Sequence, residues 1–152
     1  MADLSGNVAL QFPFPKINLT RKVICDSSTA QAIFAGTPMM LDANVDTVYA
    51  QQFDSAVTPT TGDAFIGIAL GKLAITLGDT EGEDTEVEVM IRGIVGYPND
   101  FSFTDANVDD PVYFSDEGTL TTTSGSNLGP VGKITHVDNS YVFIELNPIV
   151  QA

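Results

Sequence analysis

The chain has 152 residues, of which 43% are hydrophobic and 17% are charged. That length and balance are typical of one soluble globular domain with an ordinary core. Six Lys and Arg residues stand against 20 Asp and Glu residues, and the formal net charge is −14. This charge argues against a nucleic-acid-binding surface, which needs clustered cations to follow phosphates. The single Cys excludes an intramolecular disulfide and a structural zinc site built from cysteines.

The first 22 residues differ from the rest of the chain in charge and composition. Three cations against one Asp give +2 in this segment, which leaves −16 for residues 23–152. Two prolines alternate with two phenylalanines in residues 12–15, and proline keeps such a segment extended. We predict an extended N-terminal arm over residues 1–22 and a single β-rich domain over residues 23–152. The apolar side chains of the arm need a partner surface, on this domain or on a neighbour.

Two observations bear on the location of the protein. Cations follow the apolar positions of the first thirty residues and prolines interrupt them, so we expect no secretory signal and a mature chain that starts near Met1. The longest apolar run, residues 64–77, includes Lys72 and is too short to cross a hydrocarbon core of ~30 Å as a helix. We therefore expect no membrane partner.

Alternation of apolar and polar residues dominates the chain from residue 31 onward. It is clearest in residues 86–92 and residues 141–147, where every second side chain is aliphatic, as a half-buried strand requires. The other face of the second segment is mainly aromatic. In the first segment, Val87, Val89 and Ile91 form the predicted inward face. In the second segment, Val142, Ile144 and Leu146 form the aliphatic face, and both faces of this strand could be covered.

Shorter runs complete the predicted fold. Residues 111–115, 119–123 and 131–137 are rich in β-branched and aromatic residues and are separated by Gly, Asp, Asn and Ser, which indicates hairpins. Helix signals are weak: residues 27–34 could cap a short helix or begin a strand, and residues 100–108 could contain one turn. The sequence predicts an all-β domain, a small β-barrel or sandwich with short hairpins and little helix.

Few residues could carry out chemistry. His136 is the only imidazole and lies in a predicted strand, whereas Cys25 has no base close to it in the sequence. We expect a partly exposed strand histidine and a buried, inert thiol. The sequence therefore predicts no catalytic residue, no cofactor and no enzyme activity.

Acidic residues are concentrated in two places. Residues 79–88 contain six carboxylates. Oxygen-bearing side chains also fall at positions 1, 3, 5 and 12 of a calcium-loop template, namely Asp105, Asn107, Asp109 and Asp116. Position 6 is Asp110, where such a loop needs Gly, and a strand-like run follows. We therefore expect solvated loop charge and no specific metal site.

Several stretches share a pattern with a known family: residues 35–42, 62–70, 87–93, 110–121 and 128–133, followed by a terminal strand. From Gly36 onward the chain resembles the head-decoration, or capsid cement, proteins of tailed bacteriophages. The shared features are strands and turns. The resemblance implies a compact β-fold, called a β-tulip in the relatives, that forms a homotrimer on the outside of an assembled icosahedral head.

The resemblance also implies a role for the N-terminal arm. In this family the arm reaches onto the major capsid protein or an adjacent decoration subunit, and residues 1–22 fit that role. We expect Phe12 and Phe14 to be apolar anchors. The cations expected to meet acidic capsid groups are Lys16, Arg21 and Lys22. The alternative is an arm folded onto its own barrel.

The function implied by the resemblance is that of a structural decoration (cement) protein of the virion. It would bind the outer surface of the expanded head as a trimer and stabilise the head against internal DNA pressure. Its implied partners are the major capsid protein of the phage head and copies of itself, with no nucleic acid and no membrane.

A second function stays open from the residues alone: a secreted or surface β-module that binds calcium or carbohydrate. The acidic loops favour it, and so do three aromatic residues that look exposed, Tyr97, Phe101 and Phe103. The expected lack of a secretory signal and the absence of Trp argue against it.

Overall fold

The computed structural model describes residues 6–14, 17–27, 30–41, 49–53, 64–80, 82–100, 102–116, 119–123 and 130–146. Eleven strands lie in these residues: β1 (Leu19–Ile24), β2 (Gln31–Ile33), β3 (Pro38–Leu41), β4 (Gln51–Gln52), β5 (Ala64–Ala69), β6 (Leu73–Ile75), β7 (Glu86–Pro98), β8 (Pro111–Asp116), β9 (Thr119–Thr121), β10 (Gly132–Val137) and β11 (Tyr141–Leu146). Short 3-10 turns occupy Glu83–Thr85 and Asp105–Asn107. No helix in the described ranges is long and apolar enough to cross a membrane.

The prediction of an all-β fold with little helix is confirmed. Each of the five predicted strand segments contains a strand, and the single turn expected within residues 100–108 is the 3-10 turn Asp105–Asn107. The ambiguous stretch 27–34 contains a strand, β2. Tertiary contacts favour the strand over a helix here, because Gln31 and Ile33 are buried and β2 pairs antiparallel with β6.

Most strands belong to one curled, half-barrel sheet. Its order is β4-β3-β5-β7-β11-β10-β8-β9, with β1 added to β7, while β2 and β6 form a separate pair. The neighbours β10 and β11, and β8 and β9, are the hairpins that the turn residues predicted.

The central strand of the sheet is β7, which has neighbours along both edges. Its first half lies between β1 and β5, since Met90 pairs with Thr20 of β1 and with Ile68 of β5. In its second half, Gly96 donates its N–H to the Gln11 carbonyl at 2.7 Å and accepts the Gln11 N–H at 3.0 Å. In an antiparallel sheet, the N–H and C=O of one residue point to the same edge of its strand. The backbone of Gly96 therefore points toward Gln11, and β11 pairs with β7 along the other edge.

Strand β7 buries side chains on both faces, which differs from the half-buried strand predicted for residues 86–92. Val87 and Val89 are buried as predicted and Ile91 is half-buried, but Met90, on the other face, is fully buried. The reason is that two cores lie on the two sides of β7. Val87 and Val89 belong to the smaller core, and Met90 belongs to the larger one.

A bulge in β7 reverses the faces to which the side chains of its second half point. Two successive residues of β1 pair with Arg92 and Met90, so β7 carries one extra residue between these two. Gly93 follows with a φ of 126°. Regular alternation would place residues 90 and 95 on opposite faces, but with the bulge Met90 and Val95 lie in the same larger core.

Strand β11 has the predicted aliphatic face, and of its two faces only this one is fully buried. Val142, Ile144 and Leu146 are buried in the larger core, while Phe143 on the other face is half-buried. The smaller core consists of residues from β2, β3, β5, β6, β7 and the segments that follow β1 and precede β4: Cys25, Ile33, Met39, Ala50, Ala69, Ile75, Val87 and Val89.

Candidate functional site

The two reactive side chains singled out in the sequence have structural surroundings, as predicted. His136 is exposed on β10 and stacks on Phe143 with ring centroids 5.7 Å apart. Cys25 is fully buried. Burial, reinforced by the negative charge of Asp26, raises the pKa of the Cys25 thiol from 9.0 to about 12. A thiol held neutral in this way is a poor nucleophile and a poor metal ligand.

The calcium-loop template does not form a loop around a cation. Its first residues lie in the 3-10 turn Asp105–Asn107, where Asn107 donates to the Asp110 carboxylate at 3.2 Å. Strand β8 then runs from Pro111 to Asp116, a length of up to about 17 Å that carries the twelfth position away from the first. In the part of the chain that the structure describes, no three His, Cys, Asp or Glu residues are grouped as metal ligands.

The aromatic residues that looked exposed do not form a platform. Tyr97 is buried, so that expectation is wrong, because the bulge turns residue 97 into the larger core. Its hydroxyl donates to the Gly36 carbonyl at 2.9 Å, and burial raises the pKa of Tyr97 well above 10.0. Phe103 is half-buried against the same core, and Phe101 lies outside the described residues.

The start of the N-terminal segment is attached to its own domain. Val8 donates its N–H to the Ala35 carbonyl at 2.8 Å, and its side chain lies against Gly36. Leu10 packs on the larger core, and Gln11 exchanges two backbone hydrogen bonds with β7. Residues 8–11 therefore fix the segment to the barrel.

Residues 12–24 have the opposite character, because most of their described apolar side chains face solvent, and only Val23 packs against the smaller core. Six large hydrophobic residues are exposed in the described part of the chain, and five of them lie here: Phe12 (38% exposed), Phe14 (57%), Ile17 (63%), Leu19 (45%) and Ile24 (36%). The sixth is Leu77. Single exposed apolar residues are ordinary, whereas a cluster of them marks a contact surface. We call residues 12–24 the exposed segment.

Within the exposed segment, one edge of β1 has no strand partner among the residues that the structure describes, and we call it the open edge. The other edge pairs with β7, and among the described residues only the end of the open edge is occupied, where the Ile24 carbonyl accepts the Ala50 N–H at 3.0 Å. No residue of β1 is buried. An open strand edge with exposed apolar side chains is a template for pairing with another chain.

The predicted arm cations lie beside this edge as far as the structure describes them. Arg21 and Lys22 are exposed on β1, and Lys22 lies 3.6 Å from the Glu86 carboxylate. Lys16 lies outside the described residues. The predicted boundary after residue 22 falls within β1, so the last residues assigned to the arm pair with the domain.

A groove that sequence reasoning missed begins at the exposed segment. It has a volume of about 710 Å³ and lies where β7, β10 and β11 adjoin. Arg92 and Lys133 were visible in the sequence only as polar positions of two separate strands, and the sheet order brings them together. The groove is lined by Ile17, Arg92, Gly93, Ile94, Pro111, Pro130, Gly132, Lys133, Glu145 and Leu146.

A barrel-like β-fold with apolar side chains along one open edge is typical of a protein that associates with others. A family model described as "Structural cement protein (E217 gp24/Pam3 gp6)" matches residues 11–147. The chain therefore belongs to the structural cement proteins of phage capsids, which confirms the family resemblance. Comparison with curated proteins and comparison with solved structures give no match.

Family membership defines the general role of the protein. It is a component of the virion on the head surface, it associates with the capsid, and its role there is structural and stabilising. The family match begins at residue 11, before the part of the chain that carries the sequence resemblance, and so includes the whole exposed segment.

Proposed function

We propose that this cement protein binds the outer surface of the expanded head as a homotrimer. It contacts the major capsid protein through the exposed segment and stabilises the shell against the pressure of packaged DNA. The observation that carries this proposal is the concentration of exposed apolar side chains in residues 12–24 beside the open edge of β1.

Apolar burial supplies the main attraction in this proposal. Burying a Phe or Ile side chain completely contributes about 1.5–3 kcal/mol, and partial burial contributes proportionately less. Phe14 and Ile17 are more than half exposed in the single chain, so each has surface left to bury. Residues 8–11 hold the start of the segment on the barrel, which lowers the entropy lost when the segment docks.

The open edge of β1 sets the geometry of the proposed contact. A capsid strand that pairs with this edge continues the sheet beyond β7 and β1, with main-chain hydrogen bonds supplying affinity. Arg21 then meets acidic capsid groups, since it has no ion-pair partner among the described residues. Residues 25–152, which carry a charge of −16, lie outside this contact.

Stabilisation in this proposal needs no catalysis. A protein that binds the assembled, expanded lattice better than its separate subunits shifts the equilibrium toward the lattice by mass action. Repetition over the whole shell multiplies a small free energy per site. The His and Cys side chains both have structural surroundings, so the proposal assigns no reaction to this chain.

The proposed contact is tested by co-sedimentation with expanded heads that lack the native cement protein. The double variant Phe14→Ser with Ile17→Ser should bind at least about tenfold more weakly, since about 1.4 kcal/mol corresponds to a factor of ten. The matched control is Ala30→Ser with Ala74→Ser, which places two serines at exposed positions outside the exposed segment. Equal binding of both double variants would contradict the proposal. Point variants are preferable to deletion of residues 1–22, which would also remove Val8, Leu10 and part of β1.

The stabilising role is tested on the heads themselves. DNA-filled heads without the protein should release DNA at a lower temperature than heads to which the protein has been added. Light scattering of the purified protein gives its mass and tests the homotrimer. A release temperature that does not change on saturation with the protein would contradict stabilisation against internal pressure.

A further inference from the structure

The groove between β7, β10 and β11 combines an apolar lining with two exposed cations. Ile17, Ile94 and Pro111 supply apolar surface, while Arg92 and Lys133 supply two positive charges against the single carboxylate of Glu145. Neither cation has an ion-pair partner among the described residues. The groove therefore fits a ligand that carries an apolar side chain beside carboxylates.

This positive surface is unusual for the molecule as a whole. The chain has six cations and a net charge of −14. Arg92 pairs with Leu19 of β1, the strand that carries Arg21 and Lys22, so three of the cations lie on β7 or on its neighbour β1, and a fourth, Lys133, lies on β10 and lines the same groove as Arg92. On a strongly acidic protein, such a surface attracts acidic partners, and a second copy of the same chain is one.

The chain itself carries an apolar side chain beside carboxylates, in the turn after β6. Leu77 is 68% exposed, the highest value among the exposed large hydrophobic residues of the described chain. Asp79 follows it closely, and Asp84 is exposed in the 3-10 turn that ends the same loop. We call residues 76–80 and 82–85 the acidic turn.

Two side-chain hydrogen bonds, one of them from Ser27 outside the turn, hold the acidic turn in shape. The Asp79 carboxylate accepts the Thr76 N–H at 2.7 Å, and the Ser27 hydroxyl donates to the Asp79 carbonyl at 2.8 Å. Gly78 permits the reversal with a φ of 88°. Because the turn is already ordered, little conformational entropy is lost when Leu77 inserts into a partner.

The acidic turn and the groove lie at different places on one chain. The 3-10 turn Glu83–Thr85 leads directly into Glu86, the first residue of β7, and β6 contacts that turn. Arg92 lies six residues further along β7, about 20 Å away in an extended strand. Two complementary surfaces that are separated on the chain allow a head-to-tail contact between copies, and such a contact forms a closed ring when the rotation between successive copies closes.

We propose that the acidic turn of one copy docks into the groove of the next copy, with Leu77 against the apolar lining and its carboxylates toward Arg92 and Lys133. The number of copies in the ring rests on the homotrimer of the proposed function. The contact itself does not depend on how the protein binds capsids.

Disulfide cross-linking tests this contact directly. A mixture of the single variants Leu77→Cys and Ile94→Cys should give covalent dimers on oxidation, whereas each variant alone should give none. The native Cys25 does not interfere, because it is fully buried. The matched control is Ala74→Cys mixed with Ile94→Cys, since Ala74 is also exposed, three residues before Leu77; this mixture should not cross-link.

The cross-linking is done on free protein and on protein bound to heads. Absence of the Leu77–Ile94 product in both samples overturns the inference, and so does equal cross-linking of the Leu77→Cys variant with itself. Independently, Leu77→Asp should shift the mass measured by light scattering toward the single chain, while Leu77→Met should not. Failure of the unmodified protein to sediment with heads would overturn the capsid-docking proposal and leave a positive cross-link standing.

Discussion

Strands β1 and β11 are both antiparallel partners of β7, yet they differ in almost every other respect. Strand β11 is paired along both edges, with β7 and β10, and buries Val142, Ile144 and Leu146. Among the described residues, strand β1 pairs along one edge, and Val23 is its only half-buried side chain. The difference teaches that β11 completes the fold, whereas β1 leaves apolar surface exposed, which the proposed capsid contact would use.

The largest expected effect is on the free energy of unfolding, when one aliphatic residue is replaced by Ala in β11 and one in β1. Ile144→Ala removes a fully buried side chain from the larger core and should lower the free energy of unfolding by about 2–5 kcal/mol. Leu19→Ala, at a position that is 45% exposed, should change it by no more than about 0.5 kcal/mol. Urea denaturation measures both values.

Capsid binding should be weakened more by Leu19→Ala than by Ile144→Ala, which is the reverse of their order in the free energy of unfolding. Leu19→Ala removes apolar surface from the proposed contact, whereas Ile144 does not reach the surface. If Leu19→Ala destabilised the free protein as strongly as Ile144→Ala, β1 would be a core strand and the contrast between the strands would be wrong.

A smaller effect is expected at the bulge where β7 passes β1. Gly93→Ala forces a side chain onto a φ of 126° and into overlap with Asn18 Oδ1, which should cost about 1–3 kcal/mol. Amide exchange in β1 should accelerate more than in β11. The matched control is Gly71→Ala, whose added Cβ meets nothing within 4 Å. Equal unfolding free energies for the two variants would show that the bulge does not need glycine.

The burial of Cys25, directly after β1, gives a pH-dependent prediction. Burial raises the pKa of the folded thiol to about 12, while the unfolded thiol titrates near 9.0. The thiol contribution to stability is therefore fully present below pH 9 and is lost as the pH rises toward 12. Cys25→Ser should reduce this alkaline loss. A disulfide reagent should label Cys25 at pH 8 only after unfolding, and rapid labelling of the folded protein would show that the inner end of β1 opens.

The smallest expected effect is on the Lys22–Glu86 ion pair. The two side chains are 74% and 40% exposed, so Lys22→Ala should change the free energy of unfolding by about 0–1 kcal/mol. Its effect on capsid binding should be larger at low salt than at high salt. Salt-independent binding of this variant, with no loss relative to the unmodified protein, would remove Lys22 from the proposed contact.

The sequence allowed part of the fold to be predicted, and the difference between β11 and β7 shows which part. The burial of Val142, Ile144 and Leu146 followed from alternation, because β11 has one core on one side. The burial of Met90 and Tyr97 did not follow, because β7 separates two cores and a bulge reverses its faces. Neither property is encoded in a local pattern.

The candidate site was predictable only where it is local. Phe12, Phe14, Arg21 and Lys22 stand close together in the sequence, and their composition indicated a contact segment. The groove was not predictable, since Arg92 and Lys133 are neighbours only through the order of β7, β11 and β10. Leu77 carried no sequence signal either, because its exposure depends on the hydrogen bonds that shape the acidic turn.

Hydrogen–deuterium exchange of the protein, free and bound to expanded heads, tests the central claim most directly. The residues of the exposed segment before β1, together with the β1 amides that point away from β7, should exchange rapidly in the free protein and become protected on the heads, whereas β11 should be equally protected in both states. Protein that sediments with heads while these amides exchange as rapidly as in the free chain would contradict the proposed capsid contact.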